Sequence, residues 1–131
     1  MIRWVRGNAQ GNIVRYQTYT AFFDFYLSEH RRPLTRALHY LGSTFGLLAL
    51  FLTLRTGNPL WIAVGLIAGY GCAWVSHFLI ERNRPATFKY PLWSFMGDYH
   101  MYFLWLAGQL DKRRARAEET LAAAAAHGQS T

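Results

Sequence analysis

Apolar residues in this chain gather into long unbroken runs, not into the alternation of a half-buried strand or the spaced stripe of a soluble amphipathic helix. From Pro59 to Ile80 the chain reads PLWIAVGLIAGYGCAWVSHFLI, twenty-two residues without Asp, Glu, Lys or Arg. At about 1.5 Å per residue, that is enough helix to cross a hydrocarbon core of about 30 Å. Ala37 to Leu54, ALHYLGSTFGLLALFLTL, forms a second uncharged run of eighteen. Only RTGN, Arg55 to Asn58, joins the two, so the helices have to run antiparallel. The pattern predicts a transmembrane helical hairpin. Gly65, Gly69 and Gly71, with Ala68 and Ala73, place small residues at roughly helical spacing, a face against which another helix packs closely. Self-association through this glycine-rich helix is left open.

The segments on either side, Tyr16 to Ser28 and Pro91 to Leu110, are apolar and aromatic but carry Asp24, Asp98 and His100. Ionisable groups at membrane depth face protein or water. With the Arg31, Arg32 and Arg36 side cytoplasmic, the hairpin puts Arg55 outside and returns Arg82, Arg84 and Lys89 inside, as the positive-inside rule demands. Full spans by the two flanking segments would export Arg3, Arg6, Arg15 and the Lys112 to Arg116 cations, against the same rule. Both are therefore expected to be interfacial or re-entrant, with the termini cytoplasmic and a bacterial-type inner membrane as the location. Met1 to Asn12 lacks the apolar stretch of a cleavable signal peptide, so the hairpin is expected to direct insertion. The expected fold is an all-α, small integral membrane bundle over residues 1–110. A charged, then Ala-rich, helical tail follows over 111–131.

Composition agrees. Of 131 residues, 52% are hydrophobic and 16% charged, against about 25% charged in soluble domains, which argues against disorder and an ordinary soluble enzyme. The net charge of +7 raises nucleic acid as a partner. Eight of the fourteen cations, however, sit in clusters beside apolar runs (Arg31/Arg32/Arg36, Arg82/Arg84, Arg113/Arg114/Arg116) and not on a soluble face, which is juxtamembrane placement. The single Cys72 forms no internal disulfide, and no phosphate-binding loop, dinucleotide fingerprint or nucleophile elbow is present.

Chemistry points to histidine, the commonest metal ligand and a costly side chain to bury in lipid without a partner. His30 ends the first segment just before RRP, and His39 lies six residues into the helix that Pro33 opens. His77 sits near the end of the Pro59 to Ile80 helix, on the same side of the membrane, with Glu81 one turn on. Any one of these reads as a helix-end or headgroup histidine. Three at one membrane boundary read as a metal site, with Glu81 as ligand or orienting partner and His100 as a fourth candidate ligand.

The stretches that carry these residues, FYLSEHRRPLTRALHYLGS (Phe25 to Ser43) and WVSHFLIERNRPATFKYPLWSFMGD (Trp74 to Asp98), closely resemble the membrane family typified by fungal 2-hydroxy-palmitic acid dioxygenase. They cover about a third of the chain and contain its distinctive elements, His-x8-His and HxxxExxxPA. The resemblance implies an Fe(II)-dependent dioxygenase that removes one carbon from a 2-hydroxy fatty acid in α-oxidation, with His30, His39 and His77 as iron ligands. Three neutral imidazoles leave the metal its full charge and open positions for an anionic chelate and dioxygen. Arg31, Arg32, Arg82 and Arg84 are candidates for the substrate carboxylate, which guanidinium groups bind in a fork; Arg82 and Arg84, beside Glu81, are the favoured pair. Phe22, Phe23, Phe25, Phe78, Trp93 and Phe95 are candidates to line an acyl slot. Asp24 and Asp98 either orient ligand imidazoles or pair with arginines. The alternatives are a membrane metal-binding protein and a structural interaction module without catalysis.

Overall fold

The computed structural model describes residues 15–129, and among these no β-strand occurs. Met1 to Asn12, on which the signal-peptide reading rests, lies outside the described residues. The helices are α1 (Tyr19–Ser28), α2 (Pro33–Thr56), α3 (Leu60–Val75), α4 (Pro91–Leu106) and α5 (Leu110–Gln129). They sort into two compact units, Arg31–Pro85 on the one hand and the residues up to His30 with those from Ala86 onward on the other.

The first unit is the expected hairpin, with α2 starting earlier than the uncharged run. Pro33 occupies its first turn, where a missing N–H costs nothing and the fixed φ suits the helix. At the far end Gly57 adopts φ 71° and donates its N–H to the Thr53 carbonyl at 2.8 Å, closing the helix in the left-handed conformation that favours glycine. Asn58 Oδ1 then accepts from Leu60 N at 3.0 Å and starts α3. Glycine sets how closely the helices pack. A Cβ on Gly65 would stand 2.3 Å from the Ala49 Cβ, and one on Gly42 would stand 2.8 Å from the Gly69 carbonyl oxygen. The small-residue face is thus used within the hairpin, while Gly71 has nothing within 4 Å of where a Cβ would be.

α3 does not end at Val75. It runs on through a π-helical stretch, Ser76–Glu81, so that Pro33–Thr56 and Leu60–Glu81 are both long and apolar enough to cross a membrane. Only 22% of each apolar stretch is buried, and residues such as Leu54 and Ile67 are each 76% exposed. A core helix of a soluble domain would bury such side chains.

In the second unit, the Thr18 hydroxyl accepts from Ala21 N at 3.2 Å and caps α1. The buried face of α1 (Phe22, Phe23, Tyr26, Leu27) meets Tyr90 and Trp93 in an aromatic core, in which the Phe22 and Tyr90 rings lie 4.9 Å apart. Phe22 and Phe23, candidates for an acyl slot, are packed within this core. Gly97 lets the helices approach closely there, since a Cβ would come within 3.3 Å of the Tyr26 ring, tighter than an ordinary contact. Asp24 pairs with Arg113 of α5 at 2.7 Å, both side chains largely buried. The last apolar segment stops at Leu106, short of the expected Leu110, because Gly108 takes φ 72° and turns the chain into α5. That helix holds Leu110 and Ala117 buried before its Ala-rich end.

Candidate metal centre

Each histidine of the predicted trio is placed by its local backbone. His39 stands one turn after Thr35 in α2, and its Nδ1–H donates to the Thr35 carbonyl at 2.9 Å. Ser76 helps: its hydroxyl donates to the Ala73 carbonyl at 2.6 Å, which leaves its oxygen to accept from His39 Nδ1 at 3.2 Å. His30 stands just past the end of α1, and its Nδ1–H donates to the Tyr26 carbonyl at 2.6 Å while its ring stacks on Tyr26 at 4.1 Å. His77 lies in the π-helical stretch, where the wider turn re-aims side chains and recurs at functional sites in proteins generally. Its Nδ1–H donates to Asn83 Oδ1 at 2.7 Å.

That last contact depends on a backbone reversal. Arg82 adopts φ 56° and ψ 46°, a left-handed conformation that costs a non-glycine residue of order 1–3 kcal/mol. The turn lets Asn83 fold back, its N–H donating to the His77 carbonyl at 2.9 Å and its side chain fully buried against the same residue. The strain is the observation; a reason to keep it is that it gives the His77 imidazole a fixed acceptor.

His30, His39 and His77 are all buried. Among the described residues they are the one histidine or carboxylate group that could hold a metal ion. Within the hairpin unit the His39 and His77 rings meet edge to face, centroids 4.9 Å apart. Carbonyl oxygens only accept hydrogen bonds, so Nδ1 carries the proton in His30 and His39, and Asn83 Oδ1 imposes the same tautomer on His77. The nitrogen left with a lone pair in all three is Nε2. Three neutral imidazoles, each fixed by an acceptor on its other nitrogen, are a donor set that suits first-row metals such as Fe, Zn, Cu or Ni.

The remaining candidates are placed as follows. Glu81 Oε1 accepts from Arg32 N at 2.6 Å, so the carboxylate serves the start of α2, whose capping residue Arg32 provides no side-chain cap of its own. Arg82 and Arg84 are exposed on either side of buried Asn83. His100 is on α4, its Nδ1 hydrogen-bonded with the Tyr19 hydroxyl at 2.9 Å and its ring stacked on Phe23 at 3.9 Å. Desolvation, and then the Arg113 charge, push its pKa below the ordinary histidine value. Asp98 is bonded to the Tyr26 hydroxyl, and Asp24 to Arg113. Thr35 brings an unforeseen feature: its Oγ1 is buried with no hydrogen-bond partner. Asn83 and Ser76 escaped the sequence reading because nothing in their spacing marks them.

Comparison with protein families finds a match over residues 16–110 to the family described as 2-hydroxy-palmitic acid dioxygenase Mpo1-like. The chain belongs to this family. Searches of curated proteins and of solved structures returned no match. As a member of the Mpo1-like family the chain carries that family's dioxygenase description together with three buried histidines that could hold a metal ion.

Proposed function

We propose that this Mpo1-like protein is an integral membrane, Fe(II)-dependent dioxygenase that shortens 2-hydroxy fatty acids by one carbon. The observation that carries the reading is the buried His30, His39 and His77 group, in which an acceptor on each Nδ1 directs Nε2 to a metal. Family membership supports the reaction class, and the two long, outwardly apolar helices support a membrane setting. Bound Fe(II) would supply the redox chemistry through which dioxygen attacks the acid.

The chain's own residues do the rest. Asn83, Ser76 and the Thr35 and Tyr26 carbonyls hold the three imidazoles in one tautomer. Glu81 fixes the start of α2 through Arg32, four residues before Arg36 and seven before His39. Arg82 and Arg84, exposed immediately after the π-helical stretch, receive the substrate carboxylate in this reading, since guanidinium groups bind carboxylates in a fork. The Thr35 hydroxyl, buried one turn before His39, offers a hydrogen bond to a ligand oxygen. His100 has a role in packing α1 on α4 in this reading, since Tyr19 and Phe23 already engage it. The hairpin spans the bilayer, and the termini are cytoplasmic by the positive-inside rule.

The balance R–CH(OH)–COOH + O2 → R–COOH + CO2 + H2O closes without an external reductant. Purified protein reconstituted with Fe(II) should therefore consume dioxygen with 2-hydroxy acids, near one per acid, and not with 3-hydroxy acids. Equal rates with both, or none with either, would defeat the proposal.

A further inference from the structure

A second site, independent of the iron chemistry, lies wholly in the α1–α4–α5 unit. There a cavity of about 210 Å³ is lined by Arg15, Tyr16, Lys89, Tyr90 and the first turn of α4 through Trp93. Its construction follows from the sequence. Tyr16 stacks on Phe25 of α1 at 5.1 Å and donates its N–H to the Tyr90 hydroxyl at 2.7 Å, which fastens the entry to α1 onto the entry to α4. Tyr90 is buried, and its ring stacks on Trp93 with planes 7° apart. Two cations reach over that one ring: the Arg15 guanidinium and the Lys89 ammonium each lie 5.6 Å from its centroid.

Two like charges drawn to one aromatic ring add their fields in the adjoining cavity, which favours an anion there. Consistent with this, desolvation and the Arg15 charge push Lys89 below the usual lysine pKa. No acidic residue stands in the first turn of α4, so the field of that helix has the same sign as the cations. The rim is apolar. Leu92, which lines the cavity together with the cations, is 69% exposed, and Phe88, the residue before Lys89, is 46% exposed. A free anion has no use for that rim, whereas the headgroup of a lipid carries acyl chains that do.

We propose that the Arg15–Lys89 cavity over the Tyr90 ring binds the phosphate of an anionic phospholipid headgroup, with Leu92 and Phe88 against its acyl chains. The site would hold α1 and the start of α4 at the membrane surface.

The test uses the full chain purified in an uncharged detergent. It is titrated with phosphatidylglycerol, with phosphatidylcholine and with inorganic phosphate, and bound lipid is read by native mass spectrometry. Wild type should retain phosphatidylglycerol over phosphatidylcholine. An R15Q/K89Q variant should lose at least about tenfold in apparent phosphatidylglycerol affinity, the scale set by two basic residues at an anionic surface. Millimolar phosphate should leave the lipid bound. R55Q, at the far end of α2, should bind as wild type does. Helical circular dichroism reports folding, and should the double variant unfold, R15Q and K89Q singly should each lose about threefold. Equal retention of the two lipids, undiminished binding in folded variants, or an equal loss in R55Q would overturn the proposal. Displacement of lipid by millimolar phosphate would overturn it too, in favour of a soluble-anion site.

Discussion

Asn83→Ala tests how the histidine group is built. Asn83 Oδ1 is the acceptor for His77 Nδ1–H at 2.7 Å, in a fully buried setting. Alanine removes the acceptor. A buried donor that loses its partner costs about 1–3 kcal/mol, and a neutral imidazole escapes that cost by moving its proton to Nε2. The proton then blocks the nitrogen proposed to face the metal. The penalty corresponds to a loss of roughly 5- to 150-fold in metal affinity, which agrees with the ten- to hundredfold typical of a lost imidazole-orienting partner. Asn83→Asp keeps an acceptor and should retain the affinity. The assay is a competitive titration of detergent-purified apoprotein with Fe(II), or with Co(II) as a redox-stable stand-in, alongside circular dichroism. A folded Asn83→Ala protein that binds metal within twofold of wild type would refute the reasoning.

Other predictions concern the fold and the buried polar groups. Gly65→Leu should destabilise the hairpin by about 1–3 kcal/mol in detergent unfolding, because even a Cβ there would meet Ala49 at 2.3 Å; Gly71→Ala, with open space around it, should be neutral or stabilising. Asp98 has its pKa raised to about 7, chiefly by burial and against the opposing Tyr26 hydrogen bond. The folded state therefore holds a proton that the unfolded chain releases near pH 4. Its contribution to stability is full below that pH and is lost as pH rises to about 7, so thermal stability should fall across this window in wild type and flatten in Asp98→Asn. Thr35→Val removes a buried hydroxyl that has no partner, so it should leave stability unchanged or higher while lowering turnover; a loss of stability without loss of turnover would assign the hydroxyl a purely structural role.

The hairpin was legible in the sequence because membrane spans leave a strong signature: long uncharged runs, a four-residue connection with a glycine, and arginines at the predicted ends. The histidine trio was legible for a related reason. An imidazole near an apolar run needs a partner, and a tight helix-turn-helix limits where His30 and His39 can go. What the sequence hid was the second layer. Asn83 orients His77 only because Arg82 takes a left-handed conformation, and nothing about an arginine announces φ 56°. The π-helical widening at Ser76–Glu81 has no composition signal either, so the helix read as ending at Ile80 while its last turns were already irregular. Glu81, expected as a ligand or orienting partner, has the backbone of Arg32, 49 residues away, as its observed partner, a contact that i,i+4 spacing could not anticipate. The aromatic segments divide similarly. Their density predicted a role at the membrane, yet Phe22 and Phe23 are packed inside the α1–α4–α5 core, where size and shape and not lipid contact select them.

The most direct test of the account is metal content by mass spectrometry, on protein purified in detergent, prepared anaerobically and reconstituted with Fe(II). Wild type is compared with His30→Ala, His39→Ala and His77→Ala, each checked for helical content. The account predicts about one iron per wild-type chain and loss of that iron in every folded variant. A wild-type protein without stoichiometric iron, or one that keeps it when any of the three histidines is removed, would contradict the account.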